Sequence, residues 1–431
     1  MRKIIIAFLS LMMVTPGYGA SLINDTETEK LLYKLVEPLA TAANIPDGRL
    51  KIHIINEEDF NAFVRGGEDV YVYTGLLKQI KSPSAFQAVV AHELGHMLGG
   101  HTAQMADRIN AEIKRTMLIQ ALGVGLMVAG GNPSLGAGVM AGASGVATQS
   151  MAAFTRDEER IADDMGVDLI VRAKQNPDGF ITVLEQMNEM MGEIEVKVNP
   201  NSINHPLTTE RLKNVKAKIK DLDINYKTQD VYLDEYELVR AKLIGYLDTP
   251  KRVLELYPYS DKSDSGLYAR AIANMRSGNL DGARMGTQTL ISRNPNNPYY
   301  YELLGDIEYQ FGHYDDSVQS YEKSLELADN APQIQTALAL VLTERNKPDD
   351  KARAIDLAKR AILSEPAPLT YWVLSRAYGE DDIGRSNWAM AEYYHINGKT
   401  DDAKKYAKLA QKKLKKTDPE YIKAGDIINQ K

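Results

Sequence analysis

Residues 84–101 read SAFQAVVAHELGHMLGGH. Taken as a helix, this run sets His92 and His96 four residues apart on one face, so both imidazoles leave together. Two neutral imidazoles on one rigid rod can hold Zn²⁺, and Glu93, next to the first, reaches a water beside it. Ala85, Phe86, Ala88, Val89, Val90 and Leu94 give the helix its apolar setting. The competing reading is a solvated helix with two chance histidines. Histidine is scarce in this chain, so such a coincidence arises on the order of once in a hundred chains. A metal helix is the stronger reading.

The chain has 431 residues, enough for two or three domains with real cores. Its net charge of −7 argues against nucleic acid as a partner, because phosphate binding needs clustered positive charge. Arg2-Lys3, the apolar run Ile4–Val14 and small residues at Gly17, Gly19 and Ala20 have the shape of a secretory signal peptide. Residues 1–20 are therefore expected to be removed on export, with a bacterial periplasm as the compartment. There is no cysteine, so neither disulfides nor a lipoprotein anchor is expected. A zinc site built from histidine and carboxylate suits such an oxidising compartment.

Around the metal helix, Glu27–Ala43 is amphipathic, and Leu50–Ile55 and Asp69–Thr74 read as strands with Gly66-Gly67 between them. The apolar segments Met117–Ala129 and Leu135–Ala147 are broken by Gly130-Gly131-Asn132-Pro133 and are each too short to span a bilayer. A helical hairpin near the active site, acting as a lid or touching lipid, is expected at 117–147. Helices are expected at Met151–Arg172, Gly179–Met191 and Leu207–Lys220, with a bridging segment over 223–262.

From Ser263 onward the pattern is helical and periodic. Gly278 and Gly312 lie 34 residues apart, the tetratricopeptide period, and Gly398 has the same spacing to a small residue five positions on. About four repeats are expected over 263–431, stacked as a solenoid with a groove for peptide or partner. The lysine-rich run Lys404–Lys416 reads as the solvated face of the last repeat helix, with contact to acidic lipid headgroups as the minor alternative.

Catalytic zinc takes three protein ligands. His101 is the nearer candidate, but it falls one residue short of the metzincin spacing. The alternative is a carboxylate on a second helix. There Glu159 and Asp163 share a face, so one can bind metal while the other orients a ligand from behind. Glu158 and Asp157 are neighbouring carboxylates, and spacing alone leaves the choice open.

A resemblance narrows it. Asn61-Ala62-Phe63, Gly66-Gly67, Val70–Leu77, His92-Glu93-Leu94-Gly95-His96 with His101, Glu159-x-x-Ala162-Asp163-x-x-Gly166 and His205-Pro206 with Glu210-Arg211 occur in that order. This set resembles the zinc metalloproteases of the HtpX and CAAX-prenyl-protease family, in particular periplasmic members with C-terminal tetratricopeptide repeats. The resemblance implies an α+β zincin-like protease domain, mostly helical with a small sheet, over 21–222, followed by an all-α repeat solenoid. It implies one Zn²⁺ on His92, His96 and Glu159, with Glu93 as the general base. It gives His205 as an oxyanion donor, or as a latch filling the fourth zinc position. Asp163 and Arg211 would act from behind the ligands, Arg211 as a structural or substrate-orienting partner.

The implied activity is endoproteolysis in quality control and assembly of outer-membrane β-barrel proteins. The partners would be unfolded outer-membrane chains and the barrel assembly machinery. The strand at Val70–Thr74 is expected to take an extended peptide by strand addition. The rival expectation is a mainly non-proteolytic chaperone or scaffold with a latched protease site.

Overall fold

The computed structural model describes residues 22–66, 68–101, 104, 156–193, 209–224, 226, 228–329 and 331–430. The expected signal peptide, the hairpin at 117–147 and His205 lie outside the described residues. Near the start of the chain, β1 (Leu22–Ile23), α1 (Thr26–Ala42), β2 (Lys51–Ile55), β3 (Ala62–Arg65) and β4 (Asp69–Tyr73) form a helix and a four-stranded sheet. The strand order is β1-β2-β4-β3, with β2 and β4 parallel and the other pairs antiparallel. Alternation turns Ile52, Ile54, Val70 and Val72 into the core and leaves His53 and Tyr71 on the opposite face.

The spacing of apolar residues gives β2 and β4 but not β3. Ala62-Phe63-Val64-Arg65 is too short for alternation to register, and it becomes a strand only by folding back on β4. Its presence corrects one expectation. With β2 on one side and β3 on the other, the strand at Val70–Tyr73 is interior and has no open edge for a peptide. The edge beside the metal helix is β3.

The chain continues through α2 (Thr74–Gln79), α3 (Pro83–Leu98), α4 (Arg156–Arg172), α5 (Asp178–Glu193) and α6 (Thr209–Lys220). Ser82 opens α3 by accepting from Ala85 N at 3.1 Å, with Pro83 in the first turn where no amide donor is needed. Next come α7 (Leu233–Leu247) and α8 (Pro250–Leu256), in the stretch expected to bridge. The solenoid follows as α9 (Asp264–Arg276), α10 (Leu280–Arg293), α11 (Pro298–Gln310), α12 (Tyr314–Leu327), α13 (Pro332–Arg345), α14 (Asp350–Ser364), α15 (Pro368–Tyr378), α16 (Ile383–Ile396), α17 (Thr400–Gln411) and α18 (Pro419–Asn429). Gly278, Gly312 and Gly398 all adopt left-handed φ, between +69° and +82°, and turn α9 into α10, α11 into α12 and α16 into α17. Asn346 and Asp349, also left-handed, make the equivalent turn between α13 and α14. The 34-residue period thus corresponds to a repeated helical hairpin.

One apolar core runs from the sheet and α1 through α3, α4, α5 and α7 into α9–α11. A second fills the later repeats, from α12 to α18. At the join, Lys242 of α7 is buried 2.5 Å from Asp25, 3.1 Å from Glu27 and 3.6 Å from Glu302 of α11. Tyr268 of α9 donates to Glu27 at 2.8 Å. A buried cation is tolerated here only because these carboxylates surround it.

Glu29 at the same join carries a pH signature. Burial, with the Glu365 and Asp25 charges adding to it, pushes its carboxyl from 4.5 up to about 8. The folded chain therefore holds this proton more tightly than the unfolded one. Its contribution is fully present below about pH 4.5 and is lost as pH rises through about 8. Glu29→Gln fixes the neutral form while keeping an acceptor for Asp25 N. It is expected to match wild type near pH 4.5 and to be more stable by about 1–3 kcal/mol at pH 8. Urea unfolding at the two pH values checks this, and equal midpoints at pH 8 would contradict it.

Candidate metal centre

The site depends on how closely two helices approach. A Cβ added to Gly95 of α3 would lie 2.5 Å from Ala162 O of α4, and one on Gly166 would meet Phe180 at 2.6 Å and Ala91 at 3.1 Å. Only glycine at these two positions lets the backbones come this near. The crossing brings Glu159, near the start of α4, level with both imidazoles of α3. His92, His96 and Glu159 are all buried and offer donor atoms within 4.8 Å of one another. The Nε2 atoms of His92 and His96 are 3.1 Å apart. Glu159 lies 3.4 Å from each imidazole, through Oε2 to His92 and Oε1 to His96. Zinc bonds of about 2.0–2.1 Å at tetrahedral angles separate donors by about 3.3 Å, so the set fits Zn²⁺.

The far side of each donor is also occupied. His92 Nδ1 lies 2.9 Å from Asp163 Oδ1, which leaves Nε2 for the metal. His96 Nδ1 lies 3.1 Å from His101 Nδ1. His101 is thus not a member of the donor set; the Gly99-Gly100 turn folds it behind His96. Arg211, from α6, donates to Asp163 through Nε and Nη2, both at 2.8 Å. Its Nη1 is 2.6 Å from Glu159 Oε2. The guanidinium therefore spans the candidate ligand and the carboxylate behind it. Glu158 is buried without joining the donor set, and Asp157 is exposed.

Electrostatics follow from this burial. Burial alone would lower the His92 pKa, but its bonds to Asp163 and Glu159 outweigh that and raise it to about 9. Burial likewise acts to raise Asp163, and its bonds to His92 and Arg211 bring it below the ordinary carboxylate value. For Arg211, burial works against the charge and the Asp163, Glu159 and Glu93 carboxylates more than restore it. A metal must displace the His92 proton, and Arg211 helps to keep Asp163 ionised behind it.

Glu93 is buried and, with His92, lines a cavity of about 60 Å³ whose apolar wall includes Val89, Phe180, Val183, Leu184 and Met187. Helical spacing puts the two histidines on one face and Glu159 and Asp163 on another, while the choice of Glu159 over its neighbouring carboxylates comes from the resemblance. His101's place behind His96 is not legible in the sequence, because a five-residue spacing past a helix end has no regular geometry to read.

Residues 26–219 match peptidase family M48. The β-barrel assembly-enhancing protease of Escherichia coli K12 is 24% identical over 399 residues, covering 89% of this chain and 79% of that protein. The protein of the same name from Yersinia pestis is 22% identical over 396 residues, with the same coverage. The metalloprotease YcaL of E. coli K12 is 26% identical over 192 residues, 44% of this chain and 69% of that one. The chain carries a peptidase family M48 domain and is a zinc metallopeptidase. No described helix is long and apolar enough to cross a membrane.

Proposed function

We propose that this chain is a periplasmic zinc endopeptidase acting in quality control and assembly of outer-membrane β-barrel proteins. The observation that carries the reading is the buried His92–His96–Glu159 donor set with Glu93 lining the adjoining cavity. A pure scaffold has no need of a base there. The substrate class and compartment are drawn from relatives named for enhancing β-barrel assembly. The repeats over 263–431 would dock the substrate or the assembly machinery.

When bound, Zn²⁺ supplies a Lewis acid that polarises the scissile carbonyl and makes an attacking water more acidic. Glu93 takes the proton from that water and returns it to the leaving amine. Asp163 and His101 hold the imidazoles from their Nδ1 sides, so that Nε2 of each points inward. Arg211 fixes the carboxylates of Glu159 and Asp163. The β3 edge holds the peptide beside α3. His205 is assigned by sequence alone, as donor to the developing oxyanion or as a latch on the metal.

The test is cleavage of an unfolded outer-membrane protein by the purified chain, before and after 1,10-phenanthroline and again after zinc is returned. Loss and recovery of cleavage are expected. Bound zinc with no cleavage of that substrate or of casein would replace this reading with a binding factor.

A further inference from the structure

The face of the sheet turned away from the core carries a row of rings that ends at the strand edge. His53 of β2 stacks on Tyr71 of β4, with centroids 4.6 Å apart and planes inclined by 22°. Phe63 of β3 stacks on the other side of Tyr71 at 4.8 Å and 12°. The three residues are in register across the strands, His53 opposite Tyr71 and Tyr71 opposite Phe63. The ring spacing matches the ~4.7–4.9 Å separation of neighbouring strands. The row stops at Phe63 because β3 is the last strand among the described residues.

The backbone of β3 is arranged to continue the row. Tyr73 N donates to Asn61 O at 3.1 Å, so Asn61–Tyr73 is a hydrogen-bonded pair of the antiparallel ladder. Alternation then makes Phe63–Tyr71 a hydrogen-bonded pair as well. It turns the amide and carbonyl of Ala62 and Val64 outward, to the edge that no other described strand pairs with. An antiparallel strand added there pairs with Ala62 and Val64 and meets Phe63 as a non-hydrogen-bonded partner. In that kind of pair the side chains approach most closely. Residues on either side of this partner point to the other face of the sheet, toward α3 and the apolar cavity beside Glu93.

We propose that the edge of β3 selects extended segments carrying an aromatic side chain level with Phe63, so that the substrate's ring becomes the fourth in the row. This deepens the protease reading above and rests on it. The substrate class is an unfolded strand with an aromatic on one face and aliphatic neighbours on the other. Stacked aromatic pairs discriminate modestly, by about 5-fold over alanine.

The test uses fluorogenic strand peptides in which one Tyr is moved residue by residue along an all-Ala parent, on either side of the cleaved bond. A rise of about 5-fold in kcat/KM is expected at one position, or at positions two apart, and not at those between. In Phe63→Ser the Tyr-to-Ala ratio is expected to fall toward one, and Phe63→Trp is expected to keep it. The same peptides, labelled with fluorescein, are titrated into Glu93→Gln and followed by anisotropy. Wild type cleaving Tyr and Ala peptides equally would overturn the aromatic selection and leave the protease reading intact. A Tyr preference in binding with no cleavage by wild type would overturn the protease reading and keep the strand site. Equal binding of both peptides overturns the selection whether or not cleavage occurs.

Discussion

Glu93→Gln is expected to retain the zinc content of wild type and to lose about 10³-fold in the rate of peptide cleavage. Glutamine has the size of glutamate and can still make hydrogen bonds, but it cannot accept a proton from water at neutral pH. Glu93 is buried in the wall of the cavity beside His92, yet the donor set itself is His92, His96 and Glu159. Removing its charge should therefore spare the metal and abolish the proton transfer. The check pairs metal analysis with single-turnover cleavage of an unfolded outer-membrane protein. Zinc lost together with activity would move Glu93 into the ligand set. Activity retained at wild-type level would remove it from the mechanism.

Much of this site could be read in the sequence because its parts are local. His92 and His96 are four apart on one helix, as are Glu159 and Asp163 on another, and four residues is one helical turn. The repeats could be read for a similar reason, since Gly278 and Gly312 mark the same left-handed turn in successive hairpins. What could not be read involves partners far apart in the chain. Ala62–Arg65 has no strand pattern of its own and exists as β3 only against β4. Without β3, the interior strand β4 reads as a peptide-accepting edge. Lys242 gave no sign that it would be buried among Asp25, Glu27 and Glu302, because that cluster forms only when α1 meets α7 and α11. Gly95 and Gly166 likewise look like ordinary helix glycines until the crossing of α3 and α4 shows what a Cβ would strike.

From sequence alone Arg211 either supports the site or orients substrate, and its geometry favours support. Its guanidinium lies 2.6 Å from Glu159 and 2.8 Å from Asp163, and all three side chains are buried. Arg211→Met keeps much of the volume but leaves two carboxylates in the interior without their cation. Breaking a buried ion pair from one side typically costs about 3–5 kcal/mol, so the metal-free protein should be destabilised by that order. Zinc affinity should also fall, by about 10–100-fold, because Asp163, which holds His92, and Glu159 both lose the group that fixes them. The two effects separate on adding metal. A ligand bound 10–100-fold more weakly stabilises less at the same concentration, so saturating zinc should add about 1.4–2.7 kcal/mol less stability to Arg211→Met than to wild type. Urea midpoints with and without zinc, together with chelator competition for the metal constant, measure both. If Arg211 served only to orient substrate, the midpoints and the zinc constant would stay at their wild-type values and KM alone would rise.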